Sequence, residues 1–150
     1  MEIIDSSNIN QARKQIDKIS SKKEKVIVQG KDIEFNRKIL ENKKVSALIL
    51  NHENKHDKLK QRDSGLNQVL CKIARDNNIT LILDFNEILR NKYQERAKIL
   101  ARVMQNLKLI KKYKASLKII NYKDEHNARA LLLTLGLGTD LAKKSIQTLD

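Results

Sequence analysis

An α/β fold built on a parallel sheet is what the sequence predicts, and three observations predict it. Five short runs rich in Ile, Leu and Val recur along the 150 residues. Most are continuously apolar, as in strands covered on both faces. Between them lie longer stretches in which apolar residues return at helical spacing. Alternation of this kind argues for repeated βα units joined by right-handed crossovers.

In chain order, the first strand is expected at EII (2–4) and the first helix over 8–20. The strand KVIVQ (25–29) and a helix over 32–42 follow, then the strand SALIL (46–50). The next helix is expected over 65–77, where Leu66, Val69, Leu70, Ile73 and Ala74 form one apolar face. Gly65 marks its entry, and Asp63 or Ser64 can cap its first turn. The strand TLILDF (80–85) leads to the longest helix, over 91–113. Its expected buried stripe is Tyr93, Ala97, Leu100, Met104, Leu107 and Ile110, with Lys92, Arg96, Lys108 and Lys112 facing water. The strand LKIIN (117–121) and a helix over 124–136 come next, and a last helix over 139–148 follows the turn Gly136-Leu137-Gly138. The chain has no Pro and no low-complexity linker, so one domain is expected over 1–150.

Composition narrows the function. Lys plus Arg number 31 and Asp plus Glu 18, for a net charge of +13. At this length such a bias points to a polyanionic partner. No apolar run reaches the ~18 to 20 residues that cross a bilayer. The start MEIIDSSNIN lacks the basic and apolar blocks of a signal peptide, so a cytoplasmic location is expected. A single cysteine, Cys71, allows no internal disulfide. There is no Trp, with only two Phe and three Tyr. Recognition by stacking on an aromatic platform is therefore not expected, and binding through charge and shape remains.

Candidate catalytic groups are sparse. His52 and His56 stand at i, i+4, which would suit a metal on a helix. Their segment instead has the composition of an exposed polar loop, with Glu53 and Asp57 nearby and no convincing third ligand. His126 opens a polar turn and is expected to be solvated. Cys71 lies among apolar neighbours and is expected to be a core residue. Gly136-Leu137-Gly138 follows a helix and reads as a C-cap, not as a dinucleotide fingerprint. Asp84 and Asp5 end strands and could pair, but turn or cap duty is the commoner role at such positions.

The cations carry the signal. Lys22/Lys23 and Lys43/Lys44 are expected on solvated faces. Lys58, Lys60 and Arg62 sit in the insertion NHENKHDKLKQRDSG, which leaves the carboxyl end of the third strand, the usual working edge of such sheets. Arg90, Lys92 and Arg96 follow the fourth strand, and Arg129 follows the fifth. Three successive βα connections thus bring positive charge to one rim, as a phosphate-binding surface requires.

The segment KQRDSGLNQVLCKIA (60–74) resembles the signature of archaeal ribonuclease P protein component 3, where a basic residue and a Gly precede a similar apolar helix. The resemblance continues through TLILDF, through YQERAKILARVMQNLKLIKKYK and through ARALLLTLGLGTDLAKKSI, and is nearly continuous from residue 25 to 149. Gln68 stands where the family usually has His, and Cys71 where it has Ala. The resemblance implies a barrel like that of the polymerase and histidinol phosphatase superfamily, without its metal site. It implies a subunit of an RNA-based endoribonuclease that matures the 5′ end of precursor tRNA, with catalysis by the RNA and its magnesium ions. No catalytic residue, metal or cofactor is then expected on the protein. Its partners would be the ribonuclease P RNA, precursor tRNA, a second small subunit (component 2) and further proteins. Lys58, Lys60, Arg62, Arg90, Arg96, Lys112 and Arg129 are the expected RNA contacts. Gly65 would shape the loop, and Asn67 and Gln68 would orient it. About two βα units are missing against the family pattern, so the expected fold is a reduced, open TIM-like barrel of about five parallel strands. Five strands do not close an eight-stranded barrel. A partner should cover the exposed edges or helices should plug the gap, and the protein should be stable mainly in complex. Two alternatives remain: a metal-dependent phosphoesterase on a related barrel, and a structural module that binds a partner.

Overall fold

The computed structural model describes residues 2–147. Its strands are β1 (Ile3–Ile4), β2 (Ile27–Gln29), β3 (Ala47–Ile49), β4 (Thr80–Asp84) and β5 (Leu117–Ile120). The helices are α1 (Ile9–Ser21), α2 (Ile33–Leu40), α3 (Gln68–Asp76), α4 (Phe85–Arg90), α5 (Tyr93–Tyr113), α6 (Glu125–Thr134) and α7 (Thr139–Ile146). The α/β class and the five parallel strands agree with the sequence reading.

Each of the five strands hands over to a helix through a short polar side chain. Asn8, Asp32, Asn67, Asp84 and Asp124 each occupy an N-cap and accept from a backbone N–H of the first turn. Each such cap satisfies a donor that the helix itself leaves unpaired and contributes about 1 kcal/mol.

All five strands are parallel and lie side by side in sequence order, β1-β2-β3-β4-β5. Crossovers of one hand that always step in the same direction put every helix on the same face. This is the winding of a (β/α) barrel, not of a doubly wound sheet. The register aligns Val28, Leu48, Leu81 and Leu117 across the sheet. These side chains meet Ala12, Ile16, Phe35, Ile39, Leu70, Ile99, Val103 and Ile110 from the helices in one large core. The opposite face carries a small cluster of Ile27, Ala47, Ile49 and Ile82, flanked by Ile120.

The arc stays open among the described residues, and its two edges differ. At β5 the gap is plugged by α7: Lys118 Nζ donates to the carbonyls of Lys144 and Gln147, and Tyr122 Oη donates to that of Ile146. At β1 the edge is only two residues long, and Ile3 there is 41 % exposed.

Three details differ from the sequence reading. Helix α3 starts at Gln68, not 65, because Asn67 and not Asp63 or Ser64 supplies the cap. Helix α4 was not anticipated, and it begins directly at the end of β4 because Asp84 caps it. The buried stripe of α5 is Ile99, Arg102, Val103, Asn106, Leu107 and Ile110. Tyr93 is 89 % exposed and Met104 also faces water. Two polar residues in the buried stripe made the true phase hard to see. The last residue of the expected final helix, 148, lies outside the described residues.

One glycine is set by close approach. Gly30 N donates to Ile49 O at 2.7 Å, and a Cβ at Gly30 would lie 2.5 Å from that same backbone oxygen. Gly30→Ala must push the end of β2 away from β3. We expect it to cost about 1–3 kcal/mol, the range of an overpacked core, read as a lower midpoint in urea.

Candidate nucleic-acid interface

Residues 50–67 join β3 to α3 and form the longest connection among the described residues. Its buried apolar residues, Leu50 and Leu66, stand only at its two ends, so the hydrophobic core does not order the stretch between them. Polar contacts do. His52 is fully buried, and Glu87 from α4 is nearly so. The Glu87 carboxylate lies 2.8 Å from His52 Nδ1 and also accepts from the His52 backbone amide. On the other side of the ring, Asn106 Nδ2 lies 2.9 Å from His52 Nε2 and donates to Ser64 O at 2.9 Å.

Arg102, one turn before Asn106, completes the anchor. Its Nη1 donates to His52 O and its Nη2 to Lys55 O, both at 3.0 Å, and the guanidinium pairs with Asp57 at 3.4 Å. Helices α4 and α5 therefore hold the insertion from beneath. From the other flank, Asn36 of α2 donates to Gly65 O at 2.9 Å. Gly65 has φ +73°, a conformation that glycine adopts without the cost a side chain brings. Lys55 turns inward and donates to Lys31 O at 2.6 Å, and burial lowers its pKa.

Beyond this anchor the chain makes a tight hairpin. Lys58 and Gln61 exchange backbone hydrogen bonds of 2.9 and 3.1 Å. At its root, Asp57 Oδ1 accepts from Asp63 N at 2.8 Å. That amide, and after it the Arg102 charge, holds the Asp57 carboxyl below its ordinary value. Lys58, Lys60 and Arg62 are exposed on the hairpin, and Leu59 at its tip is 100 % exposed.

The other expected contacts are more committed. Arg90 binds Glu53 through Nε, at 2.6 Å, and through Nη2, and this pair lowers the Glu53 pKa. Arg96 donates to the carbonyls of Ile88, Leu89 and Asn91 and so closes the end of α4. Arg129 pairs with Glu125 at 3.0 Å within α6. α4 and α6 start at the same sheet edge as the hairpin, since each follows the carboxyl end of a strand, and the Arg90–Glu53 pair ties the end of α4 to the insertion. Lys112 does not join them. It sits near the far end of the 21-residue helix α5, about 30 Å from its start, with its ammonium 5.5 Å from the Tyr113 ring. Asn67 caps α3, and Gln68 accepts from Tyr113 Oη at 2.8 Å.

The remaining candidates have structural partners. The exposed-loop reading of His52 is corrected by its burial against Glu87, which also separates it from the exposed His56. Among the described residues, no three His, Cys, Asp or Glu side chains converge in a way that could hold a metal. Asp5 pairs with Lys31, and Asp84 caps α4 and accepts from Asn121 Nδ2, so the two do not meet. Burial pushes the Cys71 thiol up to about 12. The buried set of His52, Glu87, Arg102 and Asn106 escaped the sequence reading. Its one signal was the placement of Arg102 and Asn106, at i, i+4, between Ile99, Val103 and Leu107.

Two outcomes follow from the anchor. Arg102→Met leaves two carbonyls and the Asp57 carboxylate without their donor. It should lower stability by about 2 kcal/mol, measured in urea, and hasten tryptic cleavage at Lys58, Lys60 and Arg62. Asp57 has a depressed folded-state pKa, so its contribution is complete above the ordinary aspartate range and is lost as pH falls through the lowered value. The Asp63 amide resonance, followed by NMR during acidification, should therefore shift with a midpoint below 3.8.

No protein-family model matches the chain. Proteins named ribonuclease P protein component 3 do. The one from Methanococcus maripaludis is 33% identical over 110 residues, 73% of this chain and 45% of the relative. That from Methanosarcina acetivorans is 31% identical over 140 residues, 89% of this chain and 56% of the relative. That from Methanocaldococcus jannaschii is 28% identical, covering 97% of this chain and 62% of the relative. Among solved structures, a chain of the cryo-EM structure of archaeal ribonuclease P with mature tRNA matches with a TM-score of 0.76 at 28% identity. The match covers 95% of this chain and 62% of that one. The insertion and its buried anchor thus belong to a homologue of archaeal ribonuclease P protein component 3, one that spans about half the length of the curated relatives it matches.

Proposed function

We propose that this chain is a protein subunit of ribonuclease P that binds and stabilises the catalytic RNA for 5′-end maturation of precursor tRNA. The observation that carries the reading is kinship along nearly the whole chain with a protein of the archaeal ribonuclease P particle. The exposed cations of the hairpin support it, since they stand outside the ion pairs that engage Arg90 and Arg129. In this reading Lys58, Lys60 and Arg62 neutralise phosphates and release their counterions. Arg90, Arg96 and Arg129 shape the rim and add charge, and Lys112 serves a separate patch with Lys72 around Tyr113. Tyr93, exposed at the start of α5, offers one ring for a base. Cleavage belongs to the RNA with its magnesium, and the protein holds no cofactor of its own. A component 2 subunit, with further proteins, completes the assembly. Among the described residues no helix is long and apolar enough to cross a membrane.

Reconstitution tests this. Precursor tRNA cleavage is measured at moderate magnesium with the matching RNA and the other subunits, with and without this chain. Adding the chain should raise cleavage. The triple variant Lys58→Ala, Lys60→Ala, Arg62→Ala should lose most of that gain at an unchanged Tm, and its RNA affinity should lose about 2 to 3 in the slope of log K against log salt. Equal cleavage with and without the chain would refute the assignment.

A further inference from the structure

We propose that the Lys58–Gln61 hairpin and the groove at its root form a clamp for an unpaired nucleotide of folded RNA, with Leu59 as the apolar finger. The inference rests on the RNA-binding role above and names what in the RNA is bound.

Four observations carry it. First, Leu59 is fully exposed, yet it is not on a floppy tip. Paired backbone bonds between Lys58 and Gln61 fix the turn, and Asp57 ties its root to Asp63 and to the buried Arg102. The backbone that carries this apolar side chain is fixed before a partner arrives, so little main-chain order is lost on binding. Second, the exposed residues around it are His56, Asp57, Lys58, Lys60, Gln61 and Arg62, and the one carboxylate, Asp57, is already engaged by the Asp63 amide and Arg102. A leucine that anchors a protein contact sits in a patch poor in charge. A leucine ringed by cations suits a partner that is apolar at one point and anionic around it. A nucleobase on its phosphate backbone is such a partner, and leucines are known to wedge against bases.

Third, a groove of about 330 Å³ opens beside the hairpin, lined by Asp32, Ile33 and Glu34 of the α2 entry and by His56, Lys58, Gln61, Arg62 and Asp63, with Leu59 beyond this lining at the hairpin tip. That volume lies in the range of small-ligand sites. Fourth, the groove is polarised. Asp32 and Glu34 repel phosphate from the α2 wall, while on the hairpin wall Lys58 and Arg62 outweigh the single carboxylate of Asp63 and attract it. The backbone must therefore run along the hairpin, and the base must point across Ile33 toward α2. A base inside a helix cannot leave its stack without losing pairing, so the clamp takes a bulge or loop nucleotide.

The test uses the full 150-residue chain and two fluorescent RNA stem-loops, one fully paired and one with a single-stranded bulge in the same stem. Anisotropy titrations at fixed salt should show about tenfold tighter binding to the bulged stem. Leu59→Ser should abolish that preference while leaving the affinity for the paired stem and the Tm unchanged, and Leu59→Met should restore it. Lys58→Ala with Arg62→Ala should weaken both RNAs. Equal binding of the two stems, or a preference that survives Leu59→Ser, overturns the clamp and leaves Leu59 to a protein contact. Failure to bind either stem at any salt would instead remove the RNA-binding role itself, and the clamp with it.

Discussion

The Glu87 carboxylate, gripped by both the backbone and the ring of His52, is the contact from which the working edge is built. It fixes the first turn of a connection that has almost no apolar residues to bury. Asn106 and Arg102 then extend the same network to Ser64, Lys55 and Asp57, so both ends of the insertion are held at once. Inside a protein, such bonds are stronger than in water, and an unmade one is correspondingly costly. A network of this kind gives a fixed geometry more than it gives net stability. Two of its buried atoms, Asn106 Oδ1 and Arg102 Nε, lack a partner.

The sheet imposes the second constraint. Singly wound βα units pile all the helices on one side, and the other face is filled in a closed barrel by strands from across the ring. Here the inner face is a small cluster of four buried residues. Helix α7 lies against β5 where a further strand would otherwise add, and it offers main-chain carbonyls to Lys118 in place of a ladder. The short β1 limits the exposed ladder at the other edge to two residues, which is one way an edge avoids pairing with other chains.

How much of this was legible follows from which physics each part uses. The strands were readable because continuous runs such as SALIL and TLILDF bury both faces. Caps are partly readable: Asp84 ends its strand where a cap belongs, while a helix start taken at Gly65 favours Asp63 and Ser64 over Asn67, the residue that caps α3. The α5 phase was misread because hydrophobic periodicity assumes that buried means apolar, and Arg102 and Asn106 break that assumption. His52 was misread for the same reason. Its partner lies 35 residues away on α4, and no local pattern reveals a contact at that distance. The rim of cations was legible as topology, but their availability was not, since Glu53 and Glu125 engage Arg90 and Arg129 only in the folded chain.

Most arginines of the working edge are committed within the fold, Arg62 being the exception. Arg90, Arg96, Arg102 and Arg129 are engaged with carboxylates and carbonyls, as their planar forks of donors allow. Lysines make up much of what remains on the surface, and an ammonium on a long flexible stem attracts phosphate without fixing its direction. A surface of this composition gives affinity that depends strongly on salt and selects weakly among polyanions. Selection must therefore come from shape. The rigid hairpin is the feature of the rim that supplies it, because its backbone is fixed, its tip is apolar, and Arg62 stands there without the carboxylate partners that hold Arg90 and Arg129.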